Sequence, residues 1–159
     1  MSKITPFLWF QDHGEEAIAF YTTVFKNAKV MQTTRYGDEV PGPKGKVMSA
    51  TLEIEGQQFM VLNGGPAEGF TFSPAISFFV SCETQAEIDE LWEKLTEGGR
   101  ELQCGWLTDK YGITWQIVPA VLGDLVGGPD PVKAKRATAA MLKMIKLDIA
   151  ALQKAYDGE

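Results

Sequence analysis

One histidine sets the first limit on what this chain can catalyse. His13 could serve as a general base because imidazole titrates near neutrality, but it sits where a helix is expected to begin and reads as a solvent-facing residue. Glu53 and Glu55 lie two apart in an alternating segment, a spacing that could pair an acid with a base. The opposite parity carries Ala50, Leu52 and Ile54, so the two carboxylates are expected to face water. Cys82 and Cys104 are candidate nucleophiles with no second histidine to activate either, and both read as structural thiols. Asp109 and Lys110 stand at a Thr-Asp-Lys-Tyr-Gly turn, where Asp and Gly are what backbone geometry selects. A different chemistry is offered by Trp9, Trp106, Trp115 and Phe72, which could line an apolar pocket, with Gln116 and Asn63 as its orienting polar groups. The competing reading of these aromatics is plain core. Trp115 and Gln116 are neighbours on one strand and face opposite sides, so only one of them can enter such a pocket.

The composition narrows the partners. In 159 residues, 45% apolar and 23% charged, there is room for one well-buried domain and no case for disorder. A net charge of −6 without a basic stripe speaks against nucleic acid. Two cysteines make no disulfide framework, and MSKITPFLWFQD lacks the apolar run of a signal peptide or membrane span, so a reduced cytoplasmic setting is expected.

The elements that must position these residues occur twice. Ile4 to Phe10 reads as a strand with Pro6 at an edge or bend. Asp12 and Glu15 have capping-box spacing, followed by the helical stripe Ala17, Phe20, Tyr21, Val24 and Phe25. Strands are expected at Lys29 to Tyr36 and Val47 to Glu55, joined by the Gly- and Pro-rich loop GDEVPGPKGK. A strand at Phe59 to Leu62, apolar enough to be covered on both faces, follows. After a bridge from Gly64 to Pro74 the order returns: strand Ala75 to Cys82, capping box Thr84/Glu87, stripe Ile88, Leu91, Trp92 and Leu95, and a Gly98-Gly99 stop. Arg100 to Leu107 reads as one strand, hairpinned to Thr114 to Pro119, with a weak fourth strand at Val121 to Val126. The capping residues Asp12 and Thr84 lie 72 positions apart and the stripes begun by Phe20 and Leu91 lie 71 apart, which marks an internal repeat. The tail differs: Asp130-Pro131 opens a helix striped by Ala137, Met141 and Met144, and Asp148 caps a last one through Tyr156, both suited to packing on the domain or on a second subunit.

WF-x5-EAIAFY, ATLEIEGQQFMVLNGGP and CGWLTDKYGITWQIVP, spread over nearly the whole chain, resemble PhnB-like proteins of the vicinal oxygen chelate (glyoxalase/bleomycin-resistance) superfamily. The resemblance implies an α+β fold: two βαβββ modules, residues 3–66 and 74–126, forming a cupped half-barrel sheet within a domain of residues 1–128, with residues 129–159 as a C-terminal helical extension. It also implies a homodimer and a concave face for small ligands. Superfamily enzymes commonly hold a divalent metal on four strands. The matching positions here fall near Pro6, Leu62, Ala75 and Gln116, of which only glutamine could ligate, so no metal and no other cofactor is expected. The branch carries a demethylubiquinone methyltransferase label, yet the chain has no G-x-G-x-x-G turn for a nucleotide-type methyl donor.

Three functions stay open at this point. The first is a metal-independent small-molecule binding domain using Trp9, Asn63, Phe72, Trp106, Trp115 and Gln116. The second is an isomerase, lyase or transferase in the same cleft, with Gln116 and Asp109 as participants. The third is an interaction module working through the tail helices.

Overall fold

The computed structural model describes residues 2–159, which divide into a unit ending at Thr71 and a unit beginning at Phe72. In the first, β1 (Phe7–Phe10), α1 (Gly14–Val24), β2 (Ala28–Arg35), β3 (Val47–Ile54) and β4 (Gln57–Asn63) form one sheet in the order β1-β4-β3-β2 with a helix. β1 runs parallel to β4 and the other pairs are antiparallel. Alternation decides which face is buried. Ala50, Leu52 and Ile54 of β3 are at most 6% exposed, as are Phe59 and Val61 beside them. The stripe Ala17, Tyr21, Val24 and Phe25 is buried as expected, with Phe20 half-buried. Glu53 takes an ion pair with exposed Lys29 at 3.5 Å, and Glu55, at φ +48° in the turn, accepts from the Asn27 backbone and side chain at 3.2 and 3.0 Å. Neither has the setting of an acid–base pair.

Two expectations for this unit are corrected. The helix is not capped by Asp12. His13 holds the N-cap position with no side-chain cap hydrogen bond, and the first helical amide, Gly14 N–H, donates instead to Asn63 Oδ1 on β4 at 3.2 Å. A long-range acceptor thus replaces the local one. Nor is β4 covered on both faces: Met60, 37% exposed, lies between Phe59 and Val61, so the strand alternates.

The second unit repeats the topology. Its sheet, β5 (Ser77–Cys82), β6 (Arg100–Glu101), β7 (Trp106–Thr108) and β8 (Thr114–Pro119), has the order β5-β8-β7-β6 with β5 and β8 parallel, and α2 (Gln85–Thr96) lies between β5 and β6 in the chain. Each unit is therefore a βαβββ module, and neither sheet closes into a barrel. The second capping box forms: Thr84 Oγ1 accepts from Glu87 N–H, while Glu87 returns to the amide of Glu83.

The four strands of this module are distributed differently from the sequence expectation. Arg100 to Leu107 is split by a turn at residues 102–105, where Cys104 and Gly105 adopt φ +58° and +82°. A Cβ at Gly105 would lie 2.9 Å from the Ile117 carbonyl oxygen and 2.8 Å from Leu147 Cδ1, so glycine is required both for the dihedral and for the space. Val121 to Val126 adds no strand. It is a short helix, α3 (Leu122–Val126), that buries Leu125.

The tail belongs to the second unit. α4 (Pro131–Met141) starts at Asp130, whose carboxylate accepts from the amides of Val132 and Lys133, and α5 (Ile149–Asp157) starts at Asp148 in the same way. Val118 of β8 shares a core with Leu125, Ala137, Leu147 and Leu152, against which Met141 and Met144 pack. The Gln85 amide on α2 clamps the segment, donating to Leu147 O at 3.1 Å and accepting from Ile149 N–H at 2.8 Å. Lys146 and Gln85 beside Asp89 hold its carboxyl below the usual range. The stripe of Ala137, Met141 and Met144, expected to pack on the domain or on a second subunit, thus packs within the second unit, against Val118, Leu125, Leu147 and Leu152.

Cys82 is wholly buried on the side of β5 opposite Phe79. Burial pushes its thiol up from 9.0 to about 12, with Glu87 and Glu83 adding to the shift. Because the folded state holds this proton more tightly than the unfolded one, its contribution to stability is complete below about pH 9 and is lost as pH rises toward 12. Alkylation of the native protein at pH 8 is expected to modify half-buried Cys104 and spare Cys82. Peptide mapping checks this, and equal modification of both would contradict the burial. Among the described residues no helix is long and apolar enough to cross a membrane.

Candidate ligand-binding face

The sheet of the second unit buries one side throughout and the other in part: Thr114 and Val118 of β8 are at most 4% exposed, whereas Gln116 between them is half-buried and Phe79 on β5 is exposed. Leu107, Trp115 and Ile117 share the buried side, each at most 3% exposed, and Phe78 meets Trp115 at a tilt, with ring centroids 5.4 Å apart. On the open side the register sets Gln116 opposite both Phe79 of β5 and Trp106 of β7. Ser77 lies opposite Thr114, and the Gln116 side-chain N–H donates to Ser77 Oγ at 2.9 Å.

Three properties make this face suited to a ligand. Phe79 is 62% exposed, an aromatic ring offered to solvent from the middle of a strand. The half-buried Gln116 turns an amide whose nitrogen is held by Ser77 while its carbonyl oxygen accepts no hydrogen bond among the described residues. The half-buried Trp106 keeps its indole N–H accessible, likewise without an acceptor among those residues. An open acceptor and an open donor therefore stand on adjacent strands, facing the same way, beside exposed hydrocarbon.

The six residues singled out in the sequence are divided by these registers. Trp106 and Gln116 are brought together. Trp115 lies on the opposite face in the core, its indole N–H donating to Asp109 Oδ2 at 2.9 Å, which leaves it outside the open face. Phe72 is half-buried beside Gly112 at the hairpin turn and precedes the sheet. In the first unit Trp9 pairs with Leu62 on the open side, whereas Asn63 pairs with Phe10 on the helix side. Trp9 is also engaged locally: its N–H donates to Gly65 O at 3.0 Å, Phe70 meets it edge-on at 5.0 Å, and a Cβ at Gly64 would come within 2.6 Å of the ring. It clamps the loop after β4. Asp109, the other participant considered for an enzyme, is 2% exposed. Its carboxylate accepts from Tyr111 N–H, Ile113 N–H and Trp115 Nε1–H, so it is turned inward and saturated. Ser77 and Phe79 were missed in the sequence; the strand's parity with Cys82 inside would have placed both on the open side.

Residues 2–118 match the family described as 3-demethylubiquinone-9 3-methyltransferase. The chain belongs to this family. Its PhnB-like members are a branch of the vicinal oxygen chelate superfamily. A PhnB protein from Bacillus cereus, itself described as a 3-demethylubiquinone-9 3-methyltransferase, is 40% identical at a TM-score of 0.70, covering 75% of this chain and 100% of its own. Protein PA1353 from Pseudomonas aeruginosa, 24% identical, superposes at 0.63 over 75% of this chain and 98% of its own. The fosfomycin resistance protein FosX from Listeria monocytogenes, 14% identical at 0.50 over 72% and 89%, shares the fold alone. No protein of curated function matches the chain. The family match stops one residue short of the end of β8 and leaves the tail outside it.

The metal common among superfamily enzymes does not fit these residues. Pro6 and Ala75 precede their strands, and Leu62 presents hydrocarbon. Moving to the nearest open-face neighbours yields Phe7 and Ser77, which leaves one amide and hydroxyls where a divalent ion requires several imidazole, thiolate or carboxylate donors. No group of three or more His, Cys, Asp or Glu side chains among the described residues is placed to hold an ion.

Proposed function

We propose that the chain is a metal-independent binding domain for a small molecule, held on the open face around Trp106 and Gln116, and that it works as a cytoplasmic homodimer. The observation that carries this reading is the accessible pair, Trp106 Nε1–H and Gln116 Oε1, beside exposed Phe79. A ligand with one donor, one acceptor and an apolar or aromatic body matches that arrangement. The fold is one that houses small-ligand sites in its family. The methyl transfer named in the family's description is not adopted, because no glycine-rich turn offers a place for a nucleotide-type donor.

A thermal-stability screen with metabolites and aromatic antibiotics tests the reading, since a ligand at a hundred times its dissociation constant stabilises by about 2.7 kcal/mol. For any compound found, Gln116→Ala is expected to weaken binding by about 1–2 kcal/mol through loss of one hydrogen bond and its neighbours' order, with the fold intact. Trp106→Phe, which keeps a ring and removes the N–H, should cost about 1 kcal/mol. Affinity unchanged in both variants would exclude this face.

A further inference from the structure

A cleft of about 820 Å³ opens within the first unit, on the helix side of its sheet. One wall is the approach to α1 and its first turns: Gln11, Asp12, Glu15, Glu16 and Ala19. The other is the loop after β2, with Tyr36, Pro41, Pro43 and Lys46, and Asn63 also lines it. The loop is built to stay in place. Tyr36 and Lys46 pair through Tyr36 N–H to Lys46 O at 2.9 Å, and Gly45 N–H returns to Tyr36 O at 2.9 Å. Gly42 is packed on the Tyr36 ring so closely that a Cβ there would overlap it, and the Tyr36 hydroxyl donates to Asn63 O at 2.6 Å.

The cleft's polarity is one-sided. Three carboxylates line it against a single lysine. Glu15 already receives a guanidinium, Arg35 Nη1 at 3.4 Å, which is held in turn by Gly45 O at 3.0 Å. Asp12 and Glu16 have only the ring of His13 beside them, at 3.2 and 3.6 Å, with no lysine or arginine within ion-pair distance among the described residues. Asn63 commits its oxygen to Gly14 N–H and leaves its amide N–H₂ without an acceptor among the described residues. Ala19, Tyr36, Pro41 and Pro43 add apolar surface to its lining.

We propose that this cleft is a second small-molecule site, separate from the Trp106–Gln116 face, and that it takes a small organic cation. An alkylammonium or alkylguanidinium would set its charge by Asp12 and Glu16 and its hydrocarbon against the tyrosine and prolines. Arg35 on Glu15 shows the same pairing made within the chain.

Titrating the full ¹⁵N-labelled chain with n-butylguanidinium at low ionic strength tests this, with n-butanol and butyrate as probes of equal hydrocarbon. The expected result is saturable shifts confined to Gln11–Ala19 and Tyr36–Lys46, absent with the two controls. D12N/E16Q should lower the affinity about fivefold, as expected for two solvent-exposed ion pairs, and Gln116→Ala should leave it unchanged. If the double variant does not fold, added salt must weaken binding to the wild-type chain. The absence of saturable shifts, an equal response to butanol, or an affinity indifferent to both the double variant and salt would overturn the proposal. Each of these readouts is independent of whether the Trp106–Gln116 face binds anything.

Discussion

Replacing Asp109 with alanine is expected to lower the stability of the protein by about 3–5 kcal/mol, a large share of the roughly 5–15 kcal/mol of a typical domain. The carboxylate is 2% exposed and organises the β7–β8 hairpin from within. Its Oδ1 accepts from Tyr111 N–H at 2.9 Å and Ile113 N–H at 3.1 Å, and its Oδ2 from the Trp115 indole at 2.9 Å. Alanine would strand these three donors, of which the Ile113 amide and the indole are buried, and an unsatisfied buried donor costs about 1–3 kcal/mol. Asp109→Asn keeps the shape but turns an N–H₂ toward at least one donor, so it should cost less than alanine and still about 2 kcal/mol. Chemical denaturation followed by tryptophan fluorescence measures both. A loss below about 1 kcal/mol for alanine would show that the hydrogen bonds are not formed as described.

Leu147→Ala is the second large effect, at about 3 kcal/mol by analogy with buried leucine truncations. Leu147 is fully buried among Val118, Leu125, Ala137 and Leu152, and its carbonyl accepts from Gln85. Because it joins the tail to the sheet, the variant should also lose hydrogen-exchange protection through α4 and α5 before the first unit is affected. Leu142→Ser is the control: that leucine is 60% exposed and its loss should fall within about 0.5 kcal/mol. Equal effects from the two substitutions would mean that the tail is a loose appendage.

Much of the fold could be read from periodicity. The stripes of α1 and α2 are buried where they were expected, Thr84, Asp130 and Asp148 cap the helices they precede, and both modules share one strand order. The failures have long-range causes. Asp12 and Glu15 have capping-box spacing, but Asn63, 49 residues beyond Gly14, supplies the acceptor, and sequence-local reasoning has no access to it. Val121 to Val126 is a short apolar run, for which periodicity does not separate strand from helix. Gly123 and Asp124 are poor strand residues, and the segment forms a short helix that buries Leu125. The break between β6 and β7 depends on Leu147 packing over Gly105, more than forty positions later.

The candidate site was legible in the types of its residues and not in their placement. Trp106 and Gln116 were named as pocket residues from their chemistry, and the structure sets them opposite each other. Trp115 and Asn63 share that chemistry, yet Trp115 lies on the buried face and Asn63, at the end of β4, is bound to the start of α1. Which parity faces outward is fixed by what packs beneath each sheet, and that information sits in other elements.

Whether this fold can hold an ion depends on the donor set its residues offer. Elemental analysis of the full chain, equilibrated with Mn²⁺, Zn²⁺ and Ni²⁺ and then desalted, is the decisive measurement. The prediction is metal far below one ion per chain, with thermal stability unchanged by the equilibration. One tightly held ion per chain, accompanied by a rise in stability, would contradict it.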